Sequence, residues 1–204
     1  DELAERLAHH YREGGRRERA IDFLVRAADR LESEQSLGGA IGYLRRALEM
    51  LLQGAQPDRD RLLGLYRRVV QLCFRARELE QGLEVVEHAL EMAEGLGRDE
   101  HVARFSLYKG QLCAFMNRFS EAQQWFERAR QVARSVGNPD LLRLVTAVHA
   151  EAHTRNGEYG RAIGLLREAL ELARQANDVQ AQIRCLIPLA HSYGGSGDRD
   201  AALA

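Results

Sequence analysis

A 40-residue internal repeat is the feature that most constrains how this chain of 204 residues can fold. Residues 117–122, 157–162 and 197–202 align in one register, and each segment ends on alanine. In the first two segments the final alanine is followed by a large residue four positions later and by another alanine three positions after that. The residues with this spacing are Ala122, Phe126 and Ala129, then Ala162, Leu166 and Ala169, and one period upstream Gly82, Val86 and Ala89. This spacing places small and large residues on one helical face, where a neighbouring helix can approach closely. The repeat therefore predicts stacked helical hairpins.

A matching stripe, in which a small or apolar residue is followed three positions on by Cys, His or Tyr, marks the first helix of each hairpin, as in Val70-x2-Cys73 and Ala150-x2-His153. Gly97, Gly137 and Asn177 end successive second helices, since Gly and Asn tolerate the left-handed conformation. Residues 17–34 serve as the second helix of one unit and the first of the next. The predicted helices span 2–13, 17–34, 37–53, 59–76, 79–95, 100–117, 119–136, 140–156, 159–176 and 179–194, with a short helix from 198.

Composition restricts the function classes. The 29 Lys and Arg residues balance 30 Asp and Glu, so no overall basic field favours nucleic acid or an anionic membrane. Three cysteines and the lack of a long apolar run favour a reducing cytoplasm and exclude a membrane span. Because the chain opens without Met and stops seven residues into its last unit, we expect a fragment of a longer protein.

These repeats resemble the tetratricopeptide repeat, whose signature is W-x2-L-G-x2-Y, then Gly, then A-x3-F-x2-A. The resemblance spans residues 1–204 and implies an all-α fold, a right-handed superhelical solenoid in one domain of about five repeats plus a truncated sixth. The opening Trp is replaced in every unit, by Ala4, Tyr66, Ser106, Thr146 and Leu186. The 40-residue period is similar to that of the long-helix, MalT-like subclass.

A narrower resemblance covers about 30 residues, from Leu7-Ala-His-His-Tyr11 through Gly15 and Ala20-Ile21 to Ala28. It looks like the start of the repeat region that follows an AAA-type ATPase domain in bacterial signalling proteins, including serine/threonine kinases and nucleotide cyclases. This resemblance implies a regulatory arm whose catalytic domains lie upstream.

The concave wall of such a solenoid is formed by the first helix of each unit, and residues off its packing stripe are the candidate partner-binding residues. They combine arginine, glutamine and apolar side chains, which suit an extended peptide or amphipathic helix with acidic groups. They are Arg67, Gln71, Phe74, Arg75, Arg104, Leu107, Gln111, Phe115, Leu144, Glu151, Arg155, Arg184, Ile187 and His191.

Two functions remain open at this point. One is a non-catalytic scaffold that binds a protein or peptide partner in bacterial signalling. The other is a ligand-sensing arm that restrains an attached ATPase, kinase or transcription-regulator domain, for which a closed pocket would be expected.

No catalytic, metal or cofactor constellation is predicted. His149 and His153 lie one helical turn apart, but both occupy the packing stripe, so we expect hydrogen-bonded core histidines. Cys73, Cys113 and Cys185 are expected to be small core residues. Pro188 lies inside a predicted helix. Because proline removes a backbone hydrogen bond there, we expect a kink at this position.

Overall fold

The computed structural model of the protein describes residues 17–197. Over this range the backbone forms nine α-helices and no strand, which confirms the all-α prediction. The helices are α1 (Arg17–Ser33), α2 (Leu37–Leu52), α3 (Arg59–Ala76), α4 (Leu79–Gly95), α5 (Asp99–Phe115), α6 (Phe119–Val136), α7 (Pro139–Arg155), α8 (Tyr159–Gln175) and α9 (Val179–Ser196). The helices predicted at 2–13 and from 198 lie outside the described residues.

Every helix boundary within residues 17–197 lies within two residues of its predicted position. Gly97, Gly137 and Asn177 have φ angles of 62°, 71° and 53°, so the left-handed helix ends are confirmed. At the other ends, the Asp58 carboxylate accepts the backbone N–H of Arg61 at 3.0 Å, and Asn138 and Asp178 cap α7 and α9 in the same way. These local signals explain why the boundaries follow from the sequence.

The chain divides into two compact units, Asp1–Met92 and Ala93–Ala204, and helix α4 contains the boundary. In the first unit α1 packs on α2 and also reaches α3 through ion pairs. Arg61 binds Glu18 and Asp22 at 2.7 Å each, and Arg68 binds Glu32 at 2.9 Å. Helix α1 therefore contacts both its successor and the following first helix, as the double role of residues 17–34 predicts.

In the second unit the hairpins α5–α6 and α7–α8 and the helix α9 form a continuous series of contacts. Their cores follow the repeat: Ala122, Phe126 and Ala129 are buried on α6, and the equivalent residues of α8 are buried too. Cys185, Leu189 and Tyr193 of α9 join the α8 cluster. Helix α9 runs without interruption through Pro188, so the kink there stays a prediction. None of the helices in residues 17–197 is long and apolar enough to cross a bilayer.

Helices α5 and α6 approach each other closely at Gly110. A Cβ built on this glycine would lie 2.9 Å from two ring atoms of Phe126, which is inside van der Waals contact. Phe126 is itself fully buried, so its ring has little room to retreat. The small residue at this repeat position therefore sets the distance between the two helices.

We expect Gly110→Ala to destabilise the protein by about 1–3 kcal/mol, because the added methyl overpacks the hairpin. The matched control is Gly164→Ala on α8, where nothing lies within 4 Å of the new Cβ. That change should stabilise the helix by about 0.5–1 kcal/mol through the higher helix propensity of alanine. Urea unfolding followed by circular dichroism measures both, and a stabilising effect of Gly110→Ala would contradict the close-packing argument.

Candidate functional site

Five of the candidate partner-binding residues come together in one pocket between α7 and α9. The pocket is open to solvent and has a volume of about 530 Å³. Its lining residues are Glu151, Thr154, Arg155, Arg184, Ile187, Pro188 and His191. We call this the α7–α9 pocket. The repeat register brings the five predicted residues to one side of two adjacent first helices.

The α7–α9 pocket combines cationic groups with apolar surface. Ile187 is 68% exposed at its wall. The guanidinium of Arg155 lies 4.1 Å from the centroid of the Phe115 ring, a cation–π contact that orients this cation between α5 and α7. Glu151 is exposed, but the protein atoms around its carboxylate displace water and raise its pKa, against the opposing effect of the nearby Arg155. The pocket therefore offers apolar surface beside two guanidinium groups, one of which is oriented by its contact with an aromatic ring.

Two pocket residues, Thr154 and Pro188, are absent from the sequence prediction. The hydroxyl oxygens of Thr154 and Ser192 lie 3.0 Å apart and link α7 to α9. The Ser192 hydroxyl also donates to the carbonyl of Pro188 at 2.8 Å. Thr154 follows Glu151 by three residues and therefore shares its helical face, which is the signal that could have identified it. For Pro188 the sequence predicts only an effect on the helix.

Other candidate residues of the second unit differ in accessibility. Leu144 is exposed, whereas Arg104 and Gln111 are partly buried. Leu107 is only 2% exposed, so its expected place on an accessible face is wrong. Helix α5 is packed on both α6 and α7. The sequence pattern predicts only the contact with its hairpin partner α6, so it underestimates how much of α5 is buried.

In the first unit the candidate residues lie on α3. Arg67 and Gln71 are exposed, and Phe74 is partly buried. Arg75 is exposed but forms an ion pair with Glu32 of α1, whose pKa is lowered by hydrogen bonds from Arg68 and Arg75. Arg75 is thus already engaged by a carboxylate of the same chain, which the sequence did not predict.

The opposite side of α7 carries His149 and His153, both buried as predicted. His149 Nε2 lies 2.6 Å from Gln123 Oε1, and His153 Nδ1 lies 2.9 Å from Glu158 Oε2. The two rings stack at 4.7 Å between centroids, and Phe126 stacks on His149. The expectation of hydrogen-bonded core histidines is confirmed, and within residues 17–197 no three metal-ligating side chains converge.

The three cysteines are free and buried, as predicted. Burial raises the pKa of Cys73 and of Cys113 to about 11 and raises that of Cys185 as well. Since the thiolate is the reactive form of cysteine, these thiols are protonated and unreactive near neutral pH.

Comparison with known proteins identifies the family. Models of the tetratricopeptide repeat match residues 61–135 and 150–180, which together make up more than half of the chain. The chain belongs to the tetratricopeptide repeat family. Tetratricopeptide repeat protein 29 of Trypanosoma brucei brucei is 25% identical over 158 residues, or 76% of this chain. The matched region is 33% of that protein, so the chain spans about a third of the length of this curated relative.

Solved structures share the fold. BtubC from P. vanneervenii superposes with a TM-score of 0.77 at 21% identity and covers 98% of this chain and 82% of its own. The Rap conjugation gene regulator of plasmid pLS20, in complex with a Phr peptide, gives 0.72 at 16% identity over 90% of this chain and 50% of that one. A Signal Transduction ATPase with Numerous Domains from Pyrococcus horikoshii, which has a tetratricopeptide repeat sensor, gives 0.70 at 16% identity over 92% and 32%.

The buried His149 makes stability depend on pH. Burial, then the neighbouring His153 and Arg130, lower the pKa of His149 to about 3. In the unfolded chain a histidine takes up a proton below about pH 6.5, whereas folded His149 stays neutral down to about 3. The unfolded state therefore binds more protons as the pH falls from 6.5, and stability is lost in that direction.

Because of His149, we expect the free energy of unfolding to fall by about 2 kcal/mol when the pH is lowered from 6.5 to 5. His149→Gln should remove this slope, whereas His88→Gln, which changes an exposed histidine, should retain it. Urea unfolding at several pH values above 5 measures this slope. The pH dependence caused by Glu158, whose pKa is lowered from 4.5, falls mainly below this range. Equal slopes in His149→Gln and the unsubstituted protein would contradict the assignment.

Proposed function

We propose that the protein is a non-catalytic scaffold that binds a peptide or helical segment of a partner, and that the α7–α9 pocket is its anchoring site. The observation that carries the proposal is the convergence of five first-helix residues, selected by register alone, on a single open pocket. Convergence of exposed polar and apolar groups in a concavity is typical of a binding surface.

The chemistry of the pocket favours a segment in which an acidic side chain adjoins an apolar one. Arg155 and Arg184 present guanidinium groups that can pair with a carboxylate through two hydrogen bonds. Arg184 Nη2 lies 3.8 Å from Asp178 Oδ2, too far for a hydrogen bond, so a ligand carboxylate can compete for it. Ile187 and Pro188 supply the apolar surface beside these cations.

Relatives support a peptide ligand. The Rap regulator of plasmid pLS20, which has the same fold, was solved with a Phr peptide. The pocket of this chain is wide and open, a shape that suits part of a long segment. In line with the balanced charge of the chain, the proposal involves no nucleic acid or membrane.

A ligand-sensing arm of a larger bacterial signalling protein, in the cytoplasm, is the second candidate. The observation that favours it is the likeness to the Pyrococcus horikoshii ATPase with a tetratricopeptide repeat sensor. The open α7–α9 pocket favours the scaffold instead, because a small effector would need a more enclosed cavity. The 40-residue period is the ground for placing the repeats in the long-helix, MalT-like subclass, and this assignment is compatible with either candidate.

The test is a selection of peptides from a displayed library against the whole chain, followed by affinity measurements by fluorescence anisotropy. We expect enrichment of acidic residues next to apolar ones and a loss of affinity of about 10- to 100-fold in Arg184→Glu, because a charge-assisted hydrogen bond is replaced by repulsion.

The matched control is Arg174→Glu, which reverses an exposed charge on α8 outside the pocket. Its affinity should remain within about twofold of that of the parent, since surface ion pairs contribute little. Peptides without acidic residues, or equal losses in both variants, would argue against the α7–α9 pocket as the anchoring site.

A further inference from the structure

A second pocket opens in the first unit, between helices α2 and α4. Its volume is about 240 Å³, below the range of about 300–1,000 Å³ that is usual for pockets that enclose a small molecule. A space of this size suits one large apolar side chain of a partner. We call it the α2–α4 pocket. Its apolar lining residues are Leu48, Leu52, Tyr66 and Val85, and its acidic lining residues are Glu49 and Glu84.

The internal repeat explains why a pocket forms at this place. Residues 40, 44 and 47 of α2 align with residues 82, 86 and 89 of α4, and α4, α6 and α8 follow one another at the period of 40. In this register Val85 corresponds to Trp125 of α6. The Trp125 ring has Lys109 Nζ 4.2 Å and the Arg128 guanidinium 5.3 Å from its centroid. Because valine is much smaller than tryptophan, the α2–α4 pocket leaves open the space that an indole ring fills in the second unit.

The rim of the pocket also differs from the equivalent places later in the chain. Glu94 binds Arg128, and one period further on residues 134 and 168 form the same kind of ion pair at 2.9 Å. The corresponding residues of α2 and α4 are Leu52, which is 44% exposed, and His88, which is exposed as well. Since a leucine cannot form an ion pair, an open and partly apolar rim replaces the charged bridge at this position.

Helix α4 carries the acidic charge beside the pocket. Its 17 residues include five glutamates and no lysine or arginine. Those at positions 80, 84, 87 and 91 are exposed and lie within an arc of about 60° around the helix axis. Arg45 Nη2 lies 3.9 Å from Glu84 Oε2, too far for a hydrogen bond, and Arg45 Nη1 lies 2.9 Å from the Gln81 amide. A cation of a partner can therefore compete for Glu84.

We propose that the α2–α4 pocket is a second docking site, which binds a protein segment whose apolar side chain is flanked by lysine or arginine. The apolar side chain enters between Leu52 and Val85, over the floor that Leu48 helps to form. The flanking cations pair with Glu49 and Glu84.

Charge complementarity selects this class of partner. Helices α2 and α4 together contain six glutamates and two arginines, a distribution that attracts basic segments and repels nucleic acid and acidic peptides. The α2–α4 pocket thus favours the opposite charge from the α7–α9 pocket. Because each pocket lies within its own unit and prefers a different ligand, this proposal is independent of the proposed function.

The test begins with a selection of displayed peptides against the whole chain, both unsubstituted and with Arg184→Glu in the α7–α9 pocket. We expect both chains to enrich peptides in which an apolar residue adjoins lysine or arginine. The most enriched basic peptide is then the probe for affinity measurements by fluorescence anisotropy. Its binding should weaken as salt is added, since the ion pairs are close to solvent.

The first variant closes the pocket with side chains taken from the repeat itself. Leu52→Glu combined with His88→Arg places at the rim the charges that Glu94 and Arg128 carry in the second unit. The net charge of the chain is unchanged, and both positions are exposed, so the fold should be retained. We expect the affinity for the basic peptide to fall by more than about tenfold, because the new pair bridges the entrance. Circular dichroism checks the helix content.

The second variant tests the charge. Glu49→Lys should lower the affinity by about 5- to 20-fold, because attraction of the peptide cation is replaced by repulsion. The matched control is Glu171→Lys, which changes the exposed glutamate at the equivalent repeat position of α8. The control alters the net charge of the chain by the same amount, and its affinity should stay within about twofold of that of the parent.

Three results would overturn the proposal: no enrichment of basic peptides, an unchanged affinity in the variant with the closed rim, or equal losses in Glu49→Lys and Glu171→Lys. The last result would mean that the peptide responds only to the overall charge of the chain. Selection of acidic peptides alone by the unsubstituted chain would also overturn this proposal while supporting the proposed function, so the two failures are distinct.

Discussion

Close packing of a small residue against a large one within each hairpin is the constraint on which the rest of the structure depends. At Gly110 the absent side chain lets the Phe126 ring of α6 lie against the backbone of α5. In the next hairpin Ala150 of α7 belongs to the same buried cluster as Leu166 of α8. Because this approach sets how the hairpin helices pack, it also determines which faces of the first helices remain accessible.

Helix α7 shows how one element serves stability and recognition with different faces. His149 and His153 are enclosed with Phe126 and Gln123, where burial keeps His149 neutral. On another side, Arg155 and its neighbours line the α7–α9 pocket. His149 is hydrogen-bonded to Gln123 of α6 and His153 to Glu158 at the start of α8, and these bonds hold α7 against its neighbours on the side away from the pocket. Helix α9 repeats this division, with Cys185 and Leu189 on its packed face and Arg184 and His191 on its pocket face.

Predictions from the sequence were most accurate where the controlling interaction is local. The left-handed residue Asn177 and the cap Asp58 act on their own helix ends, and the boundaries followed to within two residues. Predictions of accessibility were less accurate. The repeat register predicts Leu107 on the open face, but α5 is packed on two helices and Leu107 is buried. The sequence predicts that Arg75 is available to a partner, yet Glu32 of α1 binds it.

The sequence by itself determined the all-α class, the helix boundaries, the 40-residue hairpin repeat and the buried state of the cysteines and paired histidines. These properties depend on periodicity and helix-end chemistry, which act over a few residues. Only the tertiary structure decided that Thr154 and Pro188 join five predicted residues in one pocket, and that Leu107 is buried. Both depend on which helices meet across distances of about 40 residues, and a helical pattern specifies a face without specifying the neighbour that covers it.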